Sequence, residues 1–259
     1  MPSIDPLYSL AGVLVGLLVG LTGVGGGSLM TPILVLFFGF HPATAVGTDL
    51  LYASATKTAG SAVHGARGSV DWGVVLRLGM GSVPAALITL AALRYAHARP
   101  QDLGSFISVA LGGVLVLTGV AILFRSRIVA RLAPSFERVG ERRIARLTVL
   151  LGAVLGTLVS LTSIGAGALG MTALLVLYPR LPVVRLVGSD IAHAVPLTLI
   201  AGIGHWTMGD VDGHLLLSLL VGSLPGIFIG SLVATRVSER VLVPVLAATL
   251  VIVGGKLLM

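Results

Sequence analysis

The chain of 259 residues has no cysteine, which excludes disulfides, thiol nucleophiles and thiolate metal sites together. It is also poor in charge: 10% of its residues are Asp, Glu, Lys or Arg against 56% apolar, with a mean hydropathy of +1.05. A soluble domain carries roughly a quarter of charged residues, so this composition belongs in a membrane. Lys and Arg are missing from the first eight positions, where Asp5 is the charge present. A cleavable signal pattern is therefore lacking, and the first apolar stretch is expected to be retained. Aromatic residues make up 5%, and this scarcity bears on the pI of 10.8. Seven of the seventeen basic residues crowd between Arg125 and Arg146 with almost no interleaved aromatics, which fits a cytoplasmic loop facing anionic lipid and not a nucleic-acid surface. No His-x-x-x-His pattern or His/Asp cluster with ligand spacing is found, so neither a metal nor another cofactor is implied.

What the chain does have is an internal repeat. Thr22-Gly-Val-Gly-Gly-Gly-Ser-Leu29 returns as Thr162-Ser-Ile-Gly-Ala-Gly-Ala-Leu169, Val46-Gly-Thr-Asp49 as Val187-Gly-Ser-Asp190, His64 as His205, and Gly81-Ser-Val-Pro84 as Gly222-Ser-Leu-Pro225. The register holds over some 60 residues with a single one-residue slip after the glycine motif. A duplicated hydrophobic unit whose copies meet near the bilayer midplane is the usual plan of a secondary transporter.

Five apolar segments can be drawn in each half: 7–22, 28–40, 43–64, 72–95 and 103–124, then 147–162, 169–178, 184–206, 213–236 and 239–258. The division is a transmembrane repeat at 1–124, a basic cytoplasmic loop at 125–146 and a second transmembrane repeat at 147–259. The expected fold is an all-α integral membrane protein. The second segment of each half falls short of the ~20 residues of a straight crossing and must be a half-helix, tilted or part of a re-entrant hairpin. Placing the 125–146 loop inside puts Arg67, Arg180, Arg185, Arg236 and Arg240 inside as well, with Arg94 and Arg99 as dissenters. Both termini then lie outside, and an odd number of crossings per half makes the two repeats run in opposite directions.

Gly25, Gly26 and Gly27 in one copy, and Gly165 and Gly167 in the other, interrupt apolar stretches and are expected to break a helix. Thr31 followed by Pro32 then offers an N-cap and a proline at the first helical position. A helix start inside the membrane presents free N–H donors and attracts anions, although small residues also serve close helix packing. On a helical projection Asp49, Tyr52, Thr56, Lys57, Gly60 and His64 share one face of the third segment. Lys57 falls midway between Asp49 and His64, where an ionisable group costs at least ~2.5 kcal/mol. It is either the cation that receives an anion or half of a structural ion pair. Asp49 lies about 12 Å away along the helix, so that partner would come from elsewhere. The matching face of the second copy carries Asp190, His193, Thr198 and His205, with Thr198 at the Lys57 position. Asp49 and Asp190 fit two roles, proton carriers or helix N-terminal caps, the latter because acidic residues favour a first turn. His64 and His205 fit C-terminal interactions with the helix dipole or proton relay and gating. Pro84 and Pro225 are expected to kink the fourth segment of each half, and Arg77 to snorkel to the cytoplasmic interface.

The duplicated glycine motif, the Val-Gly-Thr-Asp and Val-Gly-Ser-Asp helix starts, the Gly68-Ser-Val-Asp71 and Gly209-Asp-Val-Asp212 turns and the Gly-Ser-x-Pro segments resemble the TauE/SafE sulfite exporter family, also described as the toluene-sulfonate uptake permease group. The resemblance covers nearly the whole chain. It implies a multi-pass transporter of the bacterial inner membrane that carries sulfite, sulfonates or related organosulfur anions and is driven by the proton-motive force. Ala166 and Ala168 stand where the first copy has Gly26 and Ser28, so the two glycine turns are not equal as binding elements.

The reading for function is a carrier in which the glycine turns, with Ser28, Thr31, Thr48, Thr162, Ser189 and Thr198, surround an oxyanion with N–H and O–H donors while Lys57 supplies the positive charge. Asp49, Asp190, His64, His193 and His205 are the candidates for proton coupling or gating. The expected partners are the organosulfur oxyanion, the lipid bilayer and protons. An anion channel would use the same donors. An intramembrane enzyme is disfavoured because no nucleophile, catalytic carboxylate pair or metal motif assembles within one leaflet.

Overall fold

The computed structural model describes residues 5–22, 29–66, 68–96, 100–233 and 239–259, and among these residues every regular element is a helix. In chain order they are α1 (Pro6–Thr22), α2 (Met30–Leu36), α3 (Pro42–Ala66), α4 (Trp72–Ala96), α5 (Pro100–Leu123), α6 (Arg125–Phe136), α7 (Glu141–Thr162), α8 (Ala168–Leu177), α9 (Val183–Met208), α10 (Gly213–Val233) and α11 (Glu239–Leu258). The ten expected segments are thus α1–α5 and α7–α11. Helices α4, α5, α7, α9 and α10 are each long and apolar enough to cross a membrane. The second segments are short, seven residues in α2 and ten in α8, which is about 10–15 Å of helix.

The basic stretch between the halves is itself largely helical. Residues 125–136 form α6, and α7 begins at Glu141, six residues ahead of the apolar boundary expected at 147. The charged turn Glu141-Arg-Arg-Ile-Ala-Arg146 hides that start from a hydropathy reading, but Glu141 suits the positive end of the helix dipole. Helices α4 and α10 continue through Pro84 and Pro225.

Close approaches at glycines give the packing directions. Gly47 lies against Asp210 and His205, Gly202 against Leu51, and Gly188 against Ser69 and His64, so α3 and α9 run antiparallel. Gly112 against Gly254 and Gly119 against Ala247 make α5 and α11 antiparallel too. By contrast α1 and α10 run parallel, through Gly222 on Ser9, Gly226 on Val13 and Gly230 on Leu17, as do α4 and α7, through Gly152 on Leu78 and Gly156 on Ser82. At each of these seams a Cβ would strike opposing backbone, and backbones approach this closely where small residues line membrane helices. Each half therefore packs mainly on the other half, and equivalent helices α3 and α9, like α5 and α11, oppose each other. This is the arrangement that two opposed repeats require.

The core has four apolar clusters. One centres on Val46, Leu50, Ala86, Ile107, Val159 and Leu197, a second on Val15, Met30, Leu34, Tyr52 and Leu219, and the others on Leu111, Leu115, Ile164 and Leu250 and on Leu78, Leu155, Met171, Leu174 and Leu186. Through them α2 packs on α3, and α8 on α9, which brings both short helices beside the central antiparallel pair.

Candidate functional site

The α3–α9 contacts fix the level of Lys57. With Leu51 opposite Gly202 and His64 opposite Gly188, residues facing each other have numbers that sum to about 253, and Lys57 stands level with Thr198, within one turn of helix. These two positions are equivalents in the repeat, so Lys57 marks the point where the two halves are related through each other. Two lysines there would face one another. A single lysine opposite threonine avoids that repulsion, which is a physical reason for the charge to be present once. Lys57 is partly accessible and lies fifteen residues into a helix of 25 residues.

On either side of Lys57 along the pair lie Asp49 and Asp190, whose charges act on its ammonium at a distance, that of Asp190 more strongly. Both carboxylates are buried, with exposures of 0% and 3%. Each is eight residues of helix from the central level, about 12 Å along its own axis, on opposite sides of it. Neither closes to an ion pair with Lys57: among the described residues the salt bridges are Arg77–Glu141 at 2.7 Å and His205–Asp210 at 3.1 Å. A direct structural ion pair for Lys57 is thus not formed among them.

The two aspartates are not caps. Helices α3 and α9 begin at Pro42 and Val183, seven residues before Asp49 and Asp190, so both carboxylates sit in the second helical turn or beyond, where they cannot reach free N–H groups. Nor is Thr31 the N-cap of α2. The helix starts at Met30 with Leu29 at the cap, and Thr31 Oγ1 instead donates to Asp49 Oδ2 at 2.5 Å. That bond ties the first short helix to α3. Ser163 lies near the Asp49 carboxylate, but among the described residues Asp49 Oδ1 and Ser163 Oγ have no hydrogen-bond partner.

The second glycine break has the expected form. Ser163 adopts a left-handed conformation at φ +60°, and Gly165 and Gly167 have φ of +126° and +113°, which glycine tolerates and other residues rarely do. Gly167 then caps α8. Thr162 is consumed by this turn: its hydroxyl bonds the Leu158 and Ile164 carbonyls and accepts from the Ile164 N–H. Gly25, Gly26, Gly27 and Ser28 lie outside the described residues.

His193 joins the cluster. Its Nε2 meets Ser82 Oγ at 2.8 Å, its Nδ1 is buried without a partner, and it is in Coulombic contact with Lys57. The equivalent position in the first repeat is Tyr52, near Ser223, itself the equivalent of Ser82, but among the described residues the Tyr52 hydroxyl makes no hydrogen bond. Ser163, Tyr52, Ser82 and Ser223 are absent from the set of residues expected from the sequence, although Tyr52 and His193, and Ser82 and Ser223, stand 141 positions apart like the rest of the repeat.

The other expected residues stitch the ends of the central helices. Thr48 Oγ1 accepts from the Asp212 N–H, and Ser189 Oγ accepts from the Asp71 N–H at 2.8 Å, each half holding the turn of the other. His64 Nδ1 meets Ser69 Oγ at 2.9 Å. His205 Nδ1 meets Asp210 Oδ2, and its Nε2 donates to the Ser160 carbonyl at 2.9 Å. Since α3 and α9 are antiparallel, the two histidines stand at opposite ends of the pair. Thr198 donates to its own helix at Ala194. Arg77 is held at the start of α4 by Glu141 and Tyr178, away from Lys57. Groups of three or more metal-ligating side chains are not found among the described residues.

Lys57, level with Thr198 and with a buried carboxylate on either side of it, is the charged centre of the described helices, and the comparisons with known proteins point to transport. The family profile "Sulfite exporter TauE/SafE" matches residues 8–257. Among curated proteins, the chain is 40% identical over 250 residues to "Probable membrane transporter protein YjnA" of Bacillus subtilis (strain 168), covering 96% of this chain and 98% of that protein. It is 28% identical to "Probable membrane transporter protein YdhB" of the same organism, over 95% of this chain and 96% of the relative. A more distant relative, "Probable membrane transporter protein MJ0441" of Methanocaldococcus jannaschii, is 23% identical over 81% of this chain and 75% of its own length. No solved structure matches. The chain belongs to the sulfite exporter TauE/SafE family of membrane transporters.

Proposed function

We propose that the protein is a secondary carrier of sulfite, sulfonates or related organosulfur oxyanions in the bacterial inner membrane, with both termini periplasmic. The observation that supports this reading is Lys57, level with Thr198 midway along the antiparallel α3–α9 pair and acted on electrostatically by Asp49 and Asp190 without an ion pair to either. An ionisable residue at that depth is costly, and a lysine without a direct ion-pair contact offers its charge to a ligand. The family profile carries sulfite in its name, and a sulfur oxyanion suits the site chemically. It has several acceptor oxygens, which one ammonium and the donors expected from the glycine motifs, Gly25–Ser28 and Gly165–Gly167, would satisfy. Thr31 and Ser163, beside Asp49, border the same place.

The two halves pack across each other with opposed equivalents, so rocking of one against the other around Lys57 would expose the site to each side in turn. The Arg-rich α6 faces the cytoplasm in this reading, in line with the bias of basic residues to that side. The test is counterflow in proteoliposomes over a panel of sulfite, sulfate and small sulfonates. Saturable exchange of sulfite or a sulfonate supports a carrier; flux that rises linearly without exchange would make the protein a channel instead.

A further inference from the structure

The two pseudo-equivalent aspartates are not chemically equivalent, and the difference assigns them different work. Asp49 is held by neutral hydroxyls, the Thr31 bond and the neighbouring Ser163. At the matching position of the second repeat Thr172 turns away and donates to the Ala168 carbonyl of its own helix. Among the described residues Asp190 therefore has no hydroxyl donor like that of Thr31; its Oδ1, like Asp49 Oδ1, is buried without a hydrogen-bond partner and is pressed against Gly170 of α8, 2.8 Å from where a Cβ would stand. Among the described residues the charges acting on Asp190 are Lys57 of α3 and Arg125 of α6. Lys57 in turn acts on Asp49 and on His193 of α9.

A buried charge is tolerated when something nearby balances it. An anion bound at Lys57 beside an ionised Asp190 would leave one negative charge in excess. Resting on the carrier function proposed above, we propose that Asp190, and not Asp49, is the carboxylate that exchanges Lys57 with the transported anion and takes up one proton when the anion binds. In the unloaded state the ammonium is balanced by the Asp190 carboxylate. In the loaded state it is balanced by the anion while Asp190 is a neutral acid. The only bond made is the O–H of Asp190, its proton drawn from water on the side of entry and returned to water on the side of exit. The site keeps the same net charge in both states, so a monoanion moves electroneutrally with one proton.

The probe is methanesulfonate, a monoanion across the usable pH range, with sulfite beside it, in vesicles carrying the full chain. A gradient of one pH unit, acid outside, should drive accumulation toward about tenfold, the ratio that the proton gradient itself supplies, with no response to an imposed membrane potential. In Asp190→Asn the accumulation should be lost while exchange of labelled for unlabelled solute continues, and Asp190→Glu should restore it. Asp49→Asn should keep the response to pH. Accumulation that persists in Asp190→Asn, or is lost in Asp49→Asn alone, overturns the assignment. If Asp190→Asn does not fold, the native protein decides: flux that follows the membrane potential and ignores the pH gradient overturns the proposal. If neither solute exchanges in the native protein, the carrier reading of substrate fails separately. The pairing is then judged by thermal unfolding of Lys57→Met, Asp190→Asn and the double variant: effects that are non-additive support it, and additive effects overturn it.

Discussion

His205 and His64 occupy equivalent places in the two repeats, yet their contacts predict unequal costs on removal. The His205 ring is fully buried and engages two partners, Asp210 Oδ2 at 3.1 Å and the Ser160 carbonyl at 2.9 Å. Asp210 is itself 7% exposed. His205→Ala leaves a buried carboxylate and a buried carbonyl without their partner, a loss of about 3–5 kcal/mol by analogy with broken buried pairs. His64 is half-buried and its ring makes one neutral contact, with Ser69 Oγ at 2.9 Å, and that hydroxyl keeps its bond to the His64 carbonyl. His64→Ala should therefore cost about 1 kcal/mol. At roughly 2–4 °C per kcal/mol for a chain of this size, the two variants should differ in Tm by roughly 5–15 °C in detergent, followed by tryptophan fluorescence or a scattering onset. Equal shifts would refute the reasoning, because they would mean that position in the repeat and not the local hydrogen bonding sets the cost.

Further expectations concern the seams and the surface. A side chain at Gly81 would strike the Val149 carbonyl and Ala153 N across α4 and α7, and at Gly222 the Ser9 carbonyl across α1 and α10. Gly81→Leu and Gly222→Leu should each destabilise by at least 1–3 kcal/mol, whereas Gly79→Leu on the open side of α4 should fold normally, as measured by monodisperse yield in gel filtration. Arg77→Ala breaks a salt bridge whose Glu141 side chain is 82% exposed, so its effect on Tm should be small, within about 1 kcal/mol.

The parts of this molecule that announce themselves in the sequence are those written in local pattern. Apolar segments separated by short polar turns mark ten helices, with α7 starting six residues early, and the arrangement of α3 with α9 and α5 with α11 is consistent with the doubled Gly-rich and Val-Gly-x-Asp motifs. Lys57 is visible because a charge in an apolar run has no local explanation. Contacts between helices leave no such trace. Thr31 has the sequence look of a cap, but the helix starts so that Leu29, two residues earlier, takes that place, and the Thr31 hydroxyl bonds Asp49 instead. Thr48 and Ser189 read as donors for a ligand and are found bonded to the opposite half's turn. Asp49 and Asp190 read as first-turn acids from their Val-Gly-x-Asp motifs, although the segments drawn from 43 and 184 already put both past the first turn, and α3 and α9 begin one residue earlier still. The difference between Thr31 and Thr172, on which the two aspartates part company, is a matter of rotamer and packing and is invisible in two identical letters.

The central claim is that Lys57 holds the transported anion. Counterflow of labelled sulfite in proteoliposomes, compared among the native protein, Lys57→Arg and Lys57→Met, tests it most directly. Loss of a charge-assisted contact of about 1.5–3 kcal/mol corresponds to roughly ten- to hundredfold. The account predicts saturable exchange in the native protein, at least partial exchange in Lys57→Arg, and a fall of that size or more in Lys57→Met with the fold intact. Exchange at the native rate and half-saturation in Lys57→Met would contradict it.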